Sequence, residues 1–125
     1  MAWKFDTNRP IYVQLVERIS ASIASGEYPP GSRMPSVRDM ALEAGVNPNT
    51  LQRAFAELER QGLLYTKRTE GRYVTENSDA LIRERERLVD SCMEECRRKL
   101  LALGIEEADL EKEMSAWMKR RKESV

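Results

Sequence analysis

Apolar positions along the chain follow a helical period first, alternate briefly, and then return to a helical period. Tyr12, Leu15, Val16, Ile19 and Ile23 stand at i, i+3, i+4, i+7 and i+11, one face of a helix. Pro10 opens that helix, because proline suits a first turn, and Gly26 closes it. Tyr28-Pro29-Pro30-Gly31 then forms a fixed turn. Val37, Met40, Ala41 and Ala44 repeat the stripe in a short second helix, capped by Ser36 with Asp39 three residues on and ended at Gly45. A third helix starts at Asn47, a good N-cap, with Pro48 at the first helical position. Val46 and Leu51 are placed for a hydrophobic staple, and Leu51, Ala54, Phe55 and Leu58 form the buried face. Gly62 stands where a glycine ends a helix.

After Gly62 the period falls to two. Leu64 to Lys67 and Arg72 to Thr75 alternate around the turn Arg68-Thr69-Glu70-Gly71, which predicts a β-hairpin. Trp3-Lys4-Phe5 is a candidate third strand. From Ser78 to Leu103 a long helix is expected, capped by Ser78 or Asp79 and ended by Gly104. A fifth helix follows over roughly 106–122.

Composition narrows the chemistry. There is no histidine among the 125 residues, which removes the commonest general base and most metal sites. An enzyme is therefore not expected, and neither is a cofactor or a metal. The two cysteines, Cys92 and Cys96, are too few for a disulfide framework. One helix face carries both, as small apolar seam residues or as half of a thiolate site shared between two copies. No apolar run approaches the ~18 residues of a membrane span, and the opening residues lack a secretory pattern, so a cytoplasmic protein is expected. Lys and Arg together number 21 and so do Asp and Glu, giving zero net charge. Any basic surface must therefore be local.

Three helices, the second and third joined by a tight turn, followed by a hairpin, make a winged helix-turn-helix. The fold class is mainly α with a small β-hairpin. Residues 1–77 form a DNA-binding domain and residues 78–125 a helical dimerisation segment. A helix of this kind enters the major groove and meets base edges with its N-terminal residues. Here those are Asn49, Thr50 and Arg53, although Arg53 is also spaced to pair with Glu57. Arg33, Ser36 and Arg38 surround the start of the second helix, whose free N–H groups suit phosphate. Lys67, Arg68 and Arg72 decorate the hairpin. The same fold also serves as a protein–protein adaptor, and that alternative stays open on fold alone.

The runs Pro30-Gly31-Ser32-Arg33-Met34-Pro35-Ser36-Val37-Arg38-Asp39-Met40-Ala41, Gly45-Val46-Asn47-Pro48-Asn49-Thr50-Leu51-Gln52-Arg53-Ala54-Phe55 and Leu58-Glu59-Arg60-Gln61-Gly62-Leu63-Leu64 resemble the DNA-binding domain of GntR-family bacterial transcription regulators. The likeness spans about residues 10–76. Asn-Pro-Asn-Thr and the short C-terminal part resemble the YtrA subfamily. That resemblance implies two C-terminal helices that mediate homodimerisation, and often control of transporter operons. It also implies that Arg38 contacts DNA and that Asn47, Asn49 and Thr50 fill the polar positions opening the recognition helix. Pro48 and Gln52 stand where many relatives carry arginine. Gly71 matches a wing-tip glycine, while Thr69 replaces a second glycine usual in the family.

The expectation is a sequence-specific transcriptional regulator, a repressor, binding double-stranded DNA at a palindromic operator as a homodimer. Leu88, Cys92, Cys96, Leu100, Leu103, Met114, Trp117 and Met118 need an apolar partner, because so short a helical pair buries too little surface alone. A second copy supplies it. The sequence assigns no small-molecule effector.

Overall fold

A computed structural model describes residues 2–124. It contains α1 (Ile11–Ala24), α2 (Val37–Ala44), α3 (Pro48–Arg60), the antiparallel strands β1 (Leu64–Lys67) and β2 (Gly71–Val74), α4 (Ser78–Ala102), a 3-10 turn (Glu107–Asp109) and α5 (Leu110–Glu123). The chain falls into two compact units, one ending at Glu86 and the other beginning at Arg87.

In the first unit the apolar stripes converge on one core. Leu15, Ile19 and Ile23 of α1, Met40 and Ala41 of α2, and Leu51, Ala54, Phe55 and Leu58 of α3 pack with Met34, Leu63, Leu64 and Val74. Local chemistry starts α2 and α3 where the sequence says it should. The Asp39 N–H donates to the Ser36 hydroxyl at 3.0 Å. The Asn49 N–H donates to Asn47 Oδ1 at 2.8 Å, with Pro48 in the first turn. Each such cap contributes about 1 kcal/mol. Gly45 adopts φ 74°, which lets α2 end and α3 begin within a few residues. Asn77 caps α4 by accepting from the Ala80 N–H at 3.2 Å, one residue ahead of the expected Ser78.

The hairpin register pairs Leu64 with Val74, Tyr65 with Tyr73, Thr66 with Arg72 and Lys67 with Gly71. Its outer edge is covered by the segment before α2. The Met34 N–H donates to the Arg72 carbonyl at 2.8 Å and the Val74 N–H to the Ser32 carbonyl at 2.9 Å. Arg33 bridges to Tyr73. The candidate third strand, Trp3-Lys4-Phe5, does not join the hairpin. Residues 3–5 form no strand. The Trp3 N–H donates to the Ala44 carbonyl, the Arg18 guanidinium lies 4.1 Å from the Trp3 ring centre, and Trp3 and Phe5 pack on the core. Gln14 ties this strap down, with its amide bonded to the backbone of Asp6 and Arg9.

In the second unit no described residue is buried. Leu88, Cys96, Leu100 and Met114 are half-buried, and the Cys96 and Met114 sulfurs lie 3.9 Å apart. Arg97 bonds Glu107 through both Nε and Nη2, at 3.0 and 2.9 Å, joining α4 to the turn before α5. Cys92, Leu103, Trp117 and Met118 are exposed, Leu103 at 79%.

Candidate nucleic-acid interface

The cap of α3 determines what its first turn can offer. Asn47 spends its side-chain oxygen on the Asn49 N–H, so the helix opens rigidly at a fixed residue. Beyond it Asn49 and Arg53 are exposed and Thr50 is half-exposed, while Leu51 between them is fully buried. The buried face of α3 thus holds the polar face outward.

Arg53 does not pair with Glu57. Its guanidinium lies 4.1 Å from the centre of the Tyr12 ring on α1. Stacking uses the face of the guanidinium and leaves its in-plane N–H groups available. Glu57 is taken instead by Arg60, through both Nε and Nη2, and by Gln61 at 2.9 Å. These bonds, the one from Arg60 first, hold the Glu57 carboxyl at about 2, below its usual 4.5.

Four of the expected residues meet in one place. Arg33, Ser36, Gly71 and Arg72 line a depression of about 290 Å³ together with Met34, Pro35, Val37, Phe55 and Thr66. It lies where the approach to α2, the face of α3 and the hairpin come together. Gly71 adopts φ 110°, a conformation that side-chain-bearing residues rarely take, and Arg33 Nε lies 3.4 Å from where a Cβ would stand, at ordinary contact distance. Arg38 is exposed on the first turn of α2. Arg68 is exposed at the hairpin turn, and the Lys67 ammonium sits 4.5 Å from the Tyr73 ring centre.

Arg72 differs from the other wing cations. Its side chain is only 19% exposed, and its Nε donates to Glu59 on α3 at 3.0 Å. Neither the Arg53–Tyr12 stack nor the Arg72–Glu59 pair was legible in the sequence. Both join elements far apart in the chain, where no spacing rule operates.

A helix-turn-helix with a wing, its recognition-helix N-terminus exposed and cations on the flanking turns, is the architecture of a DNA-binding transcription factor. Known proteins place it more narrowly. The profile of the gntR family of bacterial regulatory proteins matches residues 11–74. The HTH-type transcriptional repressor YtrA of Bacillus subtilis (strain 168) is 37% identical over 78 residues, 62% of this chain and 60% of that protein. A GntR family transcriptional regulator from Listeria monocytogenes superposes with a TM-score of 0.81 at 35% identity, over 93% of this chain and 98% of that one. AraR(DBD) in complex with operator ORX1 aligns at a TM-score of 0.52 and 29% identity, over 60% of this chain and 92% of that one. The chain belongs to the gntR family of bacterial regulatory proteins. It is a winged helix-turn-helix transcriptional regulator, not an enzyme.

Proposed function

We propose that the protein is a cytoplasmic repressor that binds a palindromic operator as a homodimer. The observation that carries the DNA-reading part is the Asn47-capped start of α3, which leaves Asn49, Thr50 and Arg53 outside a fully buried Leu51. In this reading α3 lies in the major groove. Asn49 pairs with adenine and Arg53, steadied on Tyr12, turns its N–H edge to guanine. Thr50 meets a phosphate or a thymine methyl. Arg33, Ser36, Arg38 and the N–H groups opening α2 grip phosphate, and the hairpin adds a lateral contact through Arg68, beside a Lys67 held over the Tyr73 ring.

The dimer reading rests on the second unit. Val89, Met93, Trp117 and Met118 are each more than half exposed, and Leu103 more so. A monomer would leave these large apolar side chains in water. A symmetric pairing of α4 and α5 between copies covers them and spaces two recognition helices for an inverted repeat. Repression follows from occupation of the operator, in keeping with the repressor designation of YtrA.

Selection of binding sites from random duplex DNA tests this reading. Enriched sites should carry an inverted repeat, and light scattering at tens of micromolar should find a dimer. Absence of any enriched motif, at salt where bulk DNA is still bound, would contradict sequence-specific regulation.

A further inference from the structure

Arg72 is the one wing cation whose head group is drawn inward, and its partners form a line. Gln52, Phe55 and Glu59 stand at i, i+3 and i+7 on α3, a single stripe. The Arg72 side chain lies along all three. Nε donates to Glu59 Oε1 at 3.0 Å, Nη1 donates to Gln52 Oε1 at 3.3 Å, and the guanidinium carbon is 5.3 Å from the Phe55 ring centre. Thr66, which pairs with Arg72 across the hairpin, donates its hydroxyl to the same Glu59 oxygen. The Arg72 carbonyl accepts from the Met34 N–H on the opposite edge. The backbone that carries Arg72 is therefore held on both sides.

We propose that Arg72 is a positioning residue that turns Gln52 into a reader of guanine. The inference rests on α3 being the recognition helix. Arginine carries donors only, so the amide oxygen of Gln52, and not its nitrogen, must face Arg72. The Nε2 group is then left to point away from the wing. Gln52 is exposed and lies three residues after Asn49, on the same outward face of α3. A glutamine free to rotate pairs with adenine by donating to N7 and accepting from N6. Gln52 has its oxygen turned to Arg72, with one of its two lone pairs engaged there, so the group it presents beyond the wing is the Nε2 donor. Guanine presents two acceptors, N7 and O6, in the major groove, and adenine presents one acceptor and one donor. The wing thus sets a base preference on a helix it does not belong to.

The test uses the full-length protein and its selected operator. Gln52→Ala identifies the base pair that Gln52 reads, as the position where preference is lost. At that pair the wild-type protein should favour guanine over adenine by about tenfold. Arg72→Ala and Arg72→Lys should each erase or invert that preference while leaving preferences at other pairs unchanged. Glu59→Gln, which slackens the anchor of Arg72 without touching Gln52, should move it the same way. Melting curves confirm that each variant is folded, and a variant that is not folded is set aside in favour of the other two. Weakening by Arg72→Ala at every base pair alike, restored by Arg72→Lys, would overturn the proposal and make Arg72 a phosphate contact. A wild-type preference untouched by Gln52→Ala would overturn it as well. Loss of all base preference in the wild-type protein would instead strike the recognition-helix reading itself.

Discussion

Salt reads the phosphate grip directly, because each phosphate neutralised by the protein releases bound counterions. The structure says how many cations are available per subunit. Arg33, Arg38 and Arg68 are exposed beside the proposed DNA face. Lys67 is held over the Tyr73 ring, Arg53 over Tyr12, and Arg72 against Glu59. Three grips per subunit make six per dimer, and at ~0.9 per contact the plot of log K against log salt should fall with a slope of about −5. Fluorescence anisotropy on a labelled operator, from low to physiological salt, measures it. Arg68→Ala removes one grip from each subunit and should flatten the slope by about 2. Arg53→Ala should weaken operator binding by ~1–3 kcal/mol with the slope unchanged, because a base contact neutralises no phosphate. A wild-type slope no steeper than about −2 would refute the reasoning. So would Arg53→Ala flattening the slope as much as Arg68→Ala.

Thr69 occupies the wing turn at φ 68°, a left-handed conformation that costs a side chain roughly 1–2 kcal/mol. Thr69→Gly should stabilise the protein by about 0.5 kcal/mol once glycine's extra unfolded-state entropy is subtracted, raising the melting temperature by a few degrees; a lower melting temperature would argue against strain at this turn. The Glu57 carboxyl, lowered to about 2 chiefly by Arg60, adds stability above its usual 4.5 that is lost as pH falls toward about 2. A carboxyl NMR titration should find that low midpoint and see it rise in Arg60→Ala; a midpoint at 4.5 in the intact protein would exclude the pair. A chain cut after Glu86 keeps Leu81 on the core and should fold as a monomer. Its operator affinity should drop by about 10² or more as the linked second site is lost, and equal affinity for the cut and intact chains would dismiss the dimer.

Elements whose signals are local were legible in the sequence. Ser36 and Asp39, Asn47 and Pro48, and Gly62 announce helix ends through neighbours two to four residues away, and the core stripes follow from helical spacing. The hairpin followed from alternation around Arg68–Gly71. Long-range pairing was not legible. Residues 32–34 show no alternation, and they join the sheet edge only because their backbone groups meet those of Arg72 and Val74. Trp3 and Phe5 alternate like strand residues, yet they serve as anchors of a strap that Gln14 and Arg18 hold to α1. At the proposed DNA face the sequence offers residue types, and their partners within the chain were not readable from it. Arg53 had a plausible partner at i+4, but Arg60 captures Glu57 and Tyr12 captures Arg53. Arg72 reads as a wing charge until Glu59, thirteen residues earlier, comes alongside it. The apolar seam of residues 88–118 was readable from its spacing, and in the single chain its Leu103, Trp117 and Met118 stand exposed while Leu88, Cys96, Leu100 and Met114 are half-buried.

Methylation protection of the selected operator tests the central claim most directly, because dimethyl sulfate attacks guanine N7 in the major groove and adenine N3 in the minor groove. Two copies of α3 in the major groove should protect guanine N7 in two patches on one face of the duplex, their centres about 10–10.5 base pairs apart. Asn49→Ala should leave the spacing of the patches unchanged while relaxing base preference within them. Protection confined to adenine N3, or a single patch on an operator occupied by the intact protein, would contradict a dimer reading the major groove with α3.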